Sequence, residues 1–360
     1  MSQASGNNAN FGKTIINDFR STDLKTSVSS DYRDLKDFYL DDDRKRRLKE
    51  MGNFKGFFYS AWWLLKEMFL KLTPPRRVLL IIGLFFTLSI RTNENQNNLS
   101  LLGALILLFI LMLELKDKLL AKTELEAGKK VQTALMPEKC PKVAGWNLWL
   151  FSQSANEVGG DLVDFIAINN ERCGLALGDV AGKGFSAALL MSKLQSTIRA
   201  LVADFTSLSD LAAKVNQIFY RDGIRNIFAS LVYIEIQPDS DKIRFFNAGH
   251  LPPVKLKKYG LEETHKGSPA LGLMQNVSFS EQVIDMEAGD FLIVYSDGIT
   301  EAQNTQGEFF GSERFFKLLI NNSSYSAEQF GNYILNYLKS YTGNARQHDD
   351  ISLIIIKKEN

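Results

Sequence analysis

The chain has 360 residues, room for about two domains, and its 42 Lys and Arg nearly balance 41 Asp and Glu for a formal net charge of +1. That balance leaves no electrostatic footprint for nucleic acid as a partner. Two cysteines, Cys140 and Cys173, are too few for a disulfide framework and lack the CxxC spacing of a metal knuckle, so reducing surroundings are expected.

Residues 1–53 are polar, ending in the charged run DDDRKRRLKE (41–50), and are expected to be largely mobile. Over 54–73 the apolar positions Phe54, Phe57, Phe58, Ala61, Leu65, Met68, Phe69 and Leu72 recur at helical spacing, with Lys55, Lys66 and Lys71 among them and Trp62 and Trp63 alongside. This pattern predicts an amphipathic helix at a membrane interface. Two intensely apolar runs follow within 74–115: VLLIIGLFFTLSI (78–90), preceded by Pro74, Pro75, Arg76 and Arg77, and LSLLGALILLFILMLEL (99–115), separated by the polar loop RTNENQNN. They predict a two-helix transmembrane hairpin. The first run is shorter than the ~20 residues of a usual span, which keeps a buried or re-entrant helix as the alternative. Basic residues before the first run (Arg44, Lys45, Arg46, Arg47, Arg76, Arg77) and after the second (Lys116, Lys118, Lys122) put both termini in the cytoplasm. The apolar runs begin too far from Met1 to read as a cleaved signal peptide.

A linker helix is expected over 116–140. Leu113, Leu120, Ala127, Val131 and Ala134 approximate a heptad seam, interrupted by Glu124, that could pair two copies of the chain; Pro137 and Pro141 end it. From 141 to 360 the pattern changes to short strands rich in β-branched and aromatic residues: 146–151, 162–168, 172–178, 226–236, 242–248, 291–296 and 351–357. Helices are expected at 185–203, 208–219, 312–321 and 326–341. Strand runs separated by paired helices favour an α+β layered sandwich over an alternating parallel sheet.

Two glycine signals point elsewhere and fail on spacing. In GDVAGKG (178–184) three residues rather than four separate Gly178 from Gly182, and Gly184 stands where a Walker A loop has Ser or Thr. Gly182, Gly184 and Ala187 could pass as GxGxxA, but no second strand ending in an acidic residue follows the helix.

Five segments look like strand ends: EVGGD ending at Asp161, GDVAGKG around Asp179, NAGH ending at His250, YSDG around Asp297, and the pair Asp349 and Asp350. Any one alone reads equally well as a turn, since Asp and Gly dominate turns. Together they suggest a hard divalent cation, because gathered carboxylates repel one another unless a cation neutralises them and oxygen-only ligation suits Mg²⁺ or Mn²⁺.

Read in order, EVGGDLVDF (157–165), LGDVAGKGFSAALLM (177–191), FASLVYIEI (228–236), FFNAGHLPPVKL (245–256), GSPALG (267–272), GDFLIVYSDGITEA (289–302), GEFFG (307–311) and HDDISLIII (348–356) resemble the PPM-type metal-dependent Ser/Thr protein phosphatases, in their bacterial SpoIIE/RsbU-like branch. The resemblance covers about 130–358. It implies a four-layer αββα sandwich, preceded here by the membrane hairpin and linker helix, with two Mn²⁺ or Mg²⁺ ions at one end. Carried over by position, Asp161 and Asp179 resemble carboxylates shared by both ions, the Val180 carbonyl an additional ligand, and Asp297 and Asp349 ligands to the first ion. Asp350 stands where the wider family often has Asn and ranks as a neighbour. Lys183 and Gly184 are candidate phosphate contacts at a helix N-terminus. Gly160, Asn247, His250 and Gly298 are assigned structural support, with His250 expected to orient its turn rather than act as an acid, since nothing local pairs it with a base or nucleophile.

The implied chemistry is in-line hydrolysis of phosphoserine or phosphothreonine by a cation-activated water, without a covalent enzyme intermediate. The implied substrate is a phosphoprotein, such as a STAS-domain antagonist of an anti-sigma factor, in a bacterial partner-switching pathway. The expected place is the cytoplasmic membrane, with the phosphatase domain facing the cytoplasm. Competing readings are an inactive phosphatase-like module that only binds a partner, and a metal-dependent phosphodiesterase or nuclease.

Overall fold

The computed structural model describes residues 32–33, 35–36, 39–88, 97–222, 227–258, 260–320 and 325–359. The polar start of the chain, the end of the first apolar run and most of the loop after it lie outside these residues. The chain divides into two compact units, Met1–Leu119 and Leu120–Asn360.

In the first unit the charged run expected to be mobile is helical: α1 (Asp42–Glu50) starts at Asp41, whose carboxylate accepts from Arg44 N at 2.8 Å. Asp43 pairs with Arg46 and Arg47 one turn on, and Arg44 reaches Glu67. A side-chain cap and i,i+3/i+4 pairs supply what the composition hid. Helix α2 (Asn53–Lys71) agrees with the amphipathic segment, and α3 (Pro74–Leu88) begins on Pro74, where a missing N–H costs nothing. The second apolar run and the linker, expected as separate elements, form one helix, α4 (Asn97–Leu135). Neither Gly nor Pro interrupts 104–127, so nothing in the backbone marks a break at the expected boundary of 115. Gly103 packs so closely on α3 that an added Cβ would stand 2.7 Å from Gly83 O and from Thr87 N. Arg76 bridges Glu114 and Asp117, both at 2.6 Å. Among the described residues only α4 is long and apolar enough, from Leu99 on, to cross a membrane.

The second unit holds two antiparallel sheets. The six-stranded sheet runs β1 (Lys142–Val143), β2 (Trp146–Gln153), β11 (Ile351–Lys358), β10 (Phe291–Tyr295), β7 (Val254–Lys257), β8 (Gly260–Glu263). The five-stranded sheet runs β3 (Asp161–Ala167), β4 (Cys173–Val180), β5 (Ala229–Ile236), β6 (Lys242–Ala248), β9 (Glu281–Asp285). Leu148, Leu150, Leu292 and Ile354 of the first sheet share one buried cluster with Val163, Leu175, Val232 and Phe245 of the second. A second cluster joins the other side of β3–β6 to α5 (Phe185–Leu201) and α6 (Leu208–Asp222). A third joins β2, β10 and β11 to α8 (Ser312–Leu319) and α9 (Ala327–Thr342). The central strands are therefore buried on both faces, which is why ISLIIIK and FLIVY read as continuous apolar runs. Strands β7, β8 and β9 are short and charged (VKLK, GLEE, EQVID), with β8 and β9 at sheet edges. Charge on a sheet edge discourages further pairing and also erases the alternation that would reveal the strand.

Candidate metal centre

Four carboxylates reach the site from the ends of strands in both sheets. Asp161 opens β3 and lies opposite Asp179 of β4 in register, so strand pairing alone brings these two together. Asp297 follows β10 as the first residue of the short helix α7 (Asp297–Thr300), and Asp349 lies in the loop two residues before β11. The pairing of β10 with β11 continues past the ladder through Ser296 N to Ser352 O (3.0 Å) and Ser352 N to Ser296 Oγ (2.9 Å), which puts Asp297 and Asp349 at the same sheet end.

Electrostatics links them through Asp179, which acts on Asp161 and is acted on by Asp297 and Asp349. Burial, together with the charges of Asp179 and Asp350, pushes the Asp161 carboxyl well above the ordinary range, and its Oδ2 is buried without a partner. Asp179 is pushed up to about 6, first by burial and then by Asp297, Asp349 and Asp350. Asp297 is raised by burial and by Asp349. Glu301, not singled out in the sequence, belongs to the same field: burial, Asp297 and Asp349 raise its carboxyl. Its signal was the helical spacing from Asp297, four residues earlier, whose carbonyl accepts from Glu301 N at 2.7 Å.

Among the described residues, no three Asp, Glu, His or Cys side chains close on a common point as ligands of an ion. In chemistry the set fits a hard cation: every donor is oxygen, one carboxylate oxygen is orphaned in the interior, and mutual repulsion is what a divalent ion would relieve. The Val180 carbonyl belongs to the same neighbourhood, since a Cβ on Gly160 would lie 3.3 Å from Val180 O and 3.4 Å from Asp179 Oδ1.

Asp350 has a different task from Asp349. Its carboxylate accepts from Ala155 N (2.7 Å), Gly160 N (2.7 Å) and Asp161 N (3.4 Å), pinning the EVGGD turn from which Asp161 projects. Gly298 is required because a Cβ there would stand 1.9 Å from Asp350 O. From the α4 side, the buried Gln132 exchanges two hydrogen bonds with the backbone of Gly159, donating to its carbonyl at 2.9 Å and accepting from its N–H at 3.2 Å. Sequence reading missed Gln132, because a glutamine on a helix carries no pattern of its own.

Lys183, a candidate phosphate contact, donates to Asp349 Oδ2 and His348 O, both at 3.2 Å, and its charge draws the Asp179 and Asp297 carboxyls back down. Gly184 caps α5 at φ 74°, a left-handed conformation that favours glycine, and leaves the first amides of the helix without a side-chain cap. Helix α5 is itself locked to β3 by the Arg199–Asp164 pair, at 2.7 and 2.8 Å.

His250 sits away from this acidic set in its interactions. Asn247 Oδ1 accepts from His250 N (2.8 Å), Asn247 Nδ2 donates to His250 O (3.0 Å), and the ring Nδ1 accepts from Leu251 N (2.7 Å). Burial lowers the ring to about 4 from its ordinary 6.5, so it is neutral at physiological pH. A depressed histidine contributes stability above pH 6.5 that is lost as pH falls toward 4. Urea unfolding at pH 7.5 and pH 5 is expected to show wild type losing about 2 kcal/mol more than His250→Asn, which keeps an acceptor but cannot charge. Equal losses would mean the ring is not held neutral.

A SpoIIE family profile (Stage II sporulation protein E) matches residues 169–359, more than half of the chain. The chain belongs to the SpoIIE family. The match contains Asp179, Asp297 and Asp349 and begins just after Asp161. Two relatives are similar to this family member over longer stretches. Protein IcfG of Synechocystis sp. is 25% identical over 335 residues, covering 83% of this chain and 52% of that protein, so the chain spans about half the length of this relative. Phosphoserine phosphatase RsbU of Bacillus subtilis is 26% identical over 243 residues, 66% of this chain and 71% of RsbU. Among solved structures, the SiaA-PP2C domain of Pseudomonas aeruginosa superposes with a TM-score of 0.58 at 16% identity, covering 67% of this chain and 98% of that one. At that identity the likeness speaks for a PP2C-type fold.

Proposed function

We propose that this chain is a membrane-anchored, metal-dependent protein serine/threonine phosphatase acting in a bacterial partner-switching pathway. The reading is supported most by the in-register pairing of Asp161 with Asp179 and the repulsion that Asp179 feels from Asp297 and Asp349, with Asp161, Asp179 and Asp297 raised above their ordinary acidity by burial and by their neighbours. Carboxylates kept in mutual repulsion are a cost to the fold and mark a working site. The name of the relative RsbU, a phosphoserine phosphatase, supports the substrate class.

Two Mn²⁺ or Mg²⁺ ions, held by Asp161, Asp179, the Val180 carbonyl, Asp297 and Asp349, would supply Lewis acidity and a water of lowered pKa for displacement at phosphorus. The chain's own contributions are positional. Asp350 and Gln132 hold the backbone around Gly159–Gly160 and so aim Asp161; Gly298 lets β10 and the loop before β11 meet; Lys183 and the α5 amides beyond Gly184 present positive charge to an arriving phosphate. No serine or cysteine nucleophile enters this scheme.

The four-layer αββα description fits the three buried clusters. Membrane anchoring through α3 and α4 is supported by the apolar length of α4 and by the exposed aromatic side chains of α2, among them Phe54, Phe58 and Trp62. The basic flanks support a phosphatase domain facing the cytoplasm. Exposed Leu120 and Val131 on α4 suit a second copy of the chain as partner, and a STAS-domain phosphoprotein suits the substrate role.

Purified protein with Mn²⁺ should release phosphate from a phosphoserine peptide and leave a cyclic dinucleotide and DNA intact. Hydrolysis of either diester instead would replace the phosphatase reading by the phosphodiesterase one, and binding of a phosphopeptide without turnover would favour the inactive module.

A further inference from the structure

Helix α2 is covered on one side only. Ser60 and Leu64 are buried, and the Ser60 hydroxyl is bonded to the Tyr32 hydroxyl and donates to Phe57 O at 2.9 Å. The opposite side is bare, with Phe54, Phe58, Trp62 and Leu65 each more than half exposed. Lys55, Tyr59, Trp62 and Lys66 recur at i, i+4, i+7 and i+11, so two lysines border the apolar stripe. Of the four charged residues of α2, Glu67 pairs with Arg44 of α1 at 2.8 Å and Lys71 lies 4.5 Å from the centre of the Tyr39 ring, which leaves Lys55 and Lys66 on the bare side. That side therefore carries positive charge alone. The basic run of α1 is more nearly neutral: Arg46 and Arg47 share Asp43, at 3.2 and 3.0 Å, and residues 41–50 hold four acids against five bases.

Only Leu72 and Thr73 separate α2 from α3, and Arg77 of α3 donates through Nε to Phe69 O at 3.2 Å and through Nη2 to Leu70 O. These bonds satisfy carbonyls that the end of α2 leaves open and pin it to the foot of the helix that begins the apolar hairpin. An aromatic stripe edged by lysines at that place suits the surface of an anionic bilayer, where rings lodge at the headgroup level and lysine stems reach out to phosphate. Resting on the membrane-anchored reading, we infer that the bare side of α2, rather than the basic run of α1, docks on anionic lipid, with Trp62 in the acyl-chain boundary and Lys55 and Lys66 on the headgroup phosphates.

The test places the whole chain in vesicles of phosphatidylcholine, alone or with about one-third phosphatidylglycerol, whose brominated acyl chains quench any tryptophan they touch. Trp63 faces α1, with the Arg44 guanidinium 5.9 Å from its ring centre, and Trp146 and Trp149 are buried in the phosphatase domain, so quenching should be lost in Trp62→Phe and kept in Trp63→Phe. In wild type it should be at least about twofold greater with phosphatidylglycerol, and salt near about 0.5 M should remove the difference. Lys55→Gln/Lys66→Gln should cancel it, each lysine being worth about fivefold in the docking equilibrium, while Arg46→Gln/Arg47→Gln should keep it. Equal quenching in the two lipids, or a difference cancelled by the arginine pair instead, would overturn the inference. So would a chain that floats with the vesicles but shows no Trp62 quenching, which leaves the anchoring by the hairpin intact and gives the bare side to a protein partner or a second copy. A chain that does not float would remove the membrane reading itself, and this docking with it.

Discussion

Asp179→Asn is expected to abolish Mn²⁺-dependent phosphate release, by at least about a hundredfold, and at the same time to make the cation-free protein more stable. The second half follows from linkage. Asp179 titrates near 6 in the fold against an ordinary 3.8, so between those values the folded chain holds more protons than the unfolded one, and stability falls as pH rises through that window. At neutral pH the charged carboxylate costs the fold about 1–2 kcal/mol once solvent screening of a half-buried group is allowed for. Asn removes the charge and keeps the shape, which should raise the melting temperature in EDTA by about 2–6 °C. Wild type should gain stability on adding Mn²⁺ because the ion binds only the native state, and should gain less as pH drops below about 6, where Asp179 is protonated. The variant should show a much smaller gain. A melting temperature that falls on substitution would identify Asp179 as a structural carboxylate and remove the metal reading.

The adjacent aspartates at 349 and 350 should part company under mutation. Asp350→Ala leaves the amides of Ala155, Gly160 and Asp161 without their acceptor in a buried turn, and a loss of about 3–5 kcal/mol in urea unfolding is expected. Asp349→Ala loses an exposed ion pair with Lys183, worth at most about 1 kcal/mol, and its effect should fall on Mn²⁺ affinity measured by calorimetry. If Asp350→Ala instead weakens Mn²⁺ binding with stability intact, the ligand roles of the two residues are exchanged.

The division of labour in this chain follows from the range over which each signal acts. Alternation, apolar runs and turn residues are local, so the central strands, the helices at 185 and 208 and the strand-end carboxylates could be read directly from the order of residues. Charged edges such as GLEE and EQVID could not, because their strand character comes from neighbours that are distant in sequence rather than from their own pattern. The pairing of Asp161 with Asp179, the drawing of Glu301 into the acidic field, the capture of Lys183 by Asp349 and the clamp of Asp350 on Gly160 were decided only in three dimensions. Each depends on which strand ends meet. Sequence thus determined which groups are available and that they sit where strands stop; tertiary structure decided which of them share a field, since charge and burial act through space and adjacent residues such as Asp349 and Asp350 can point to opposite tasks.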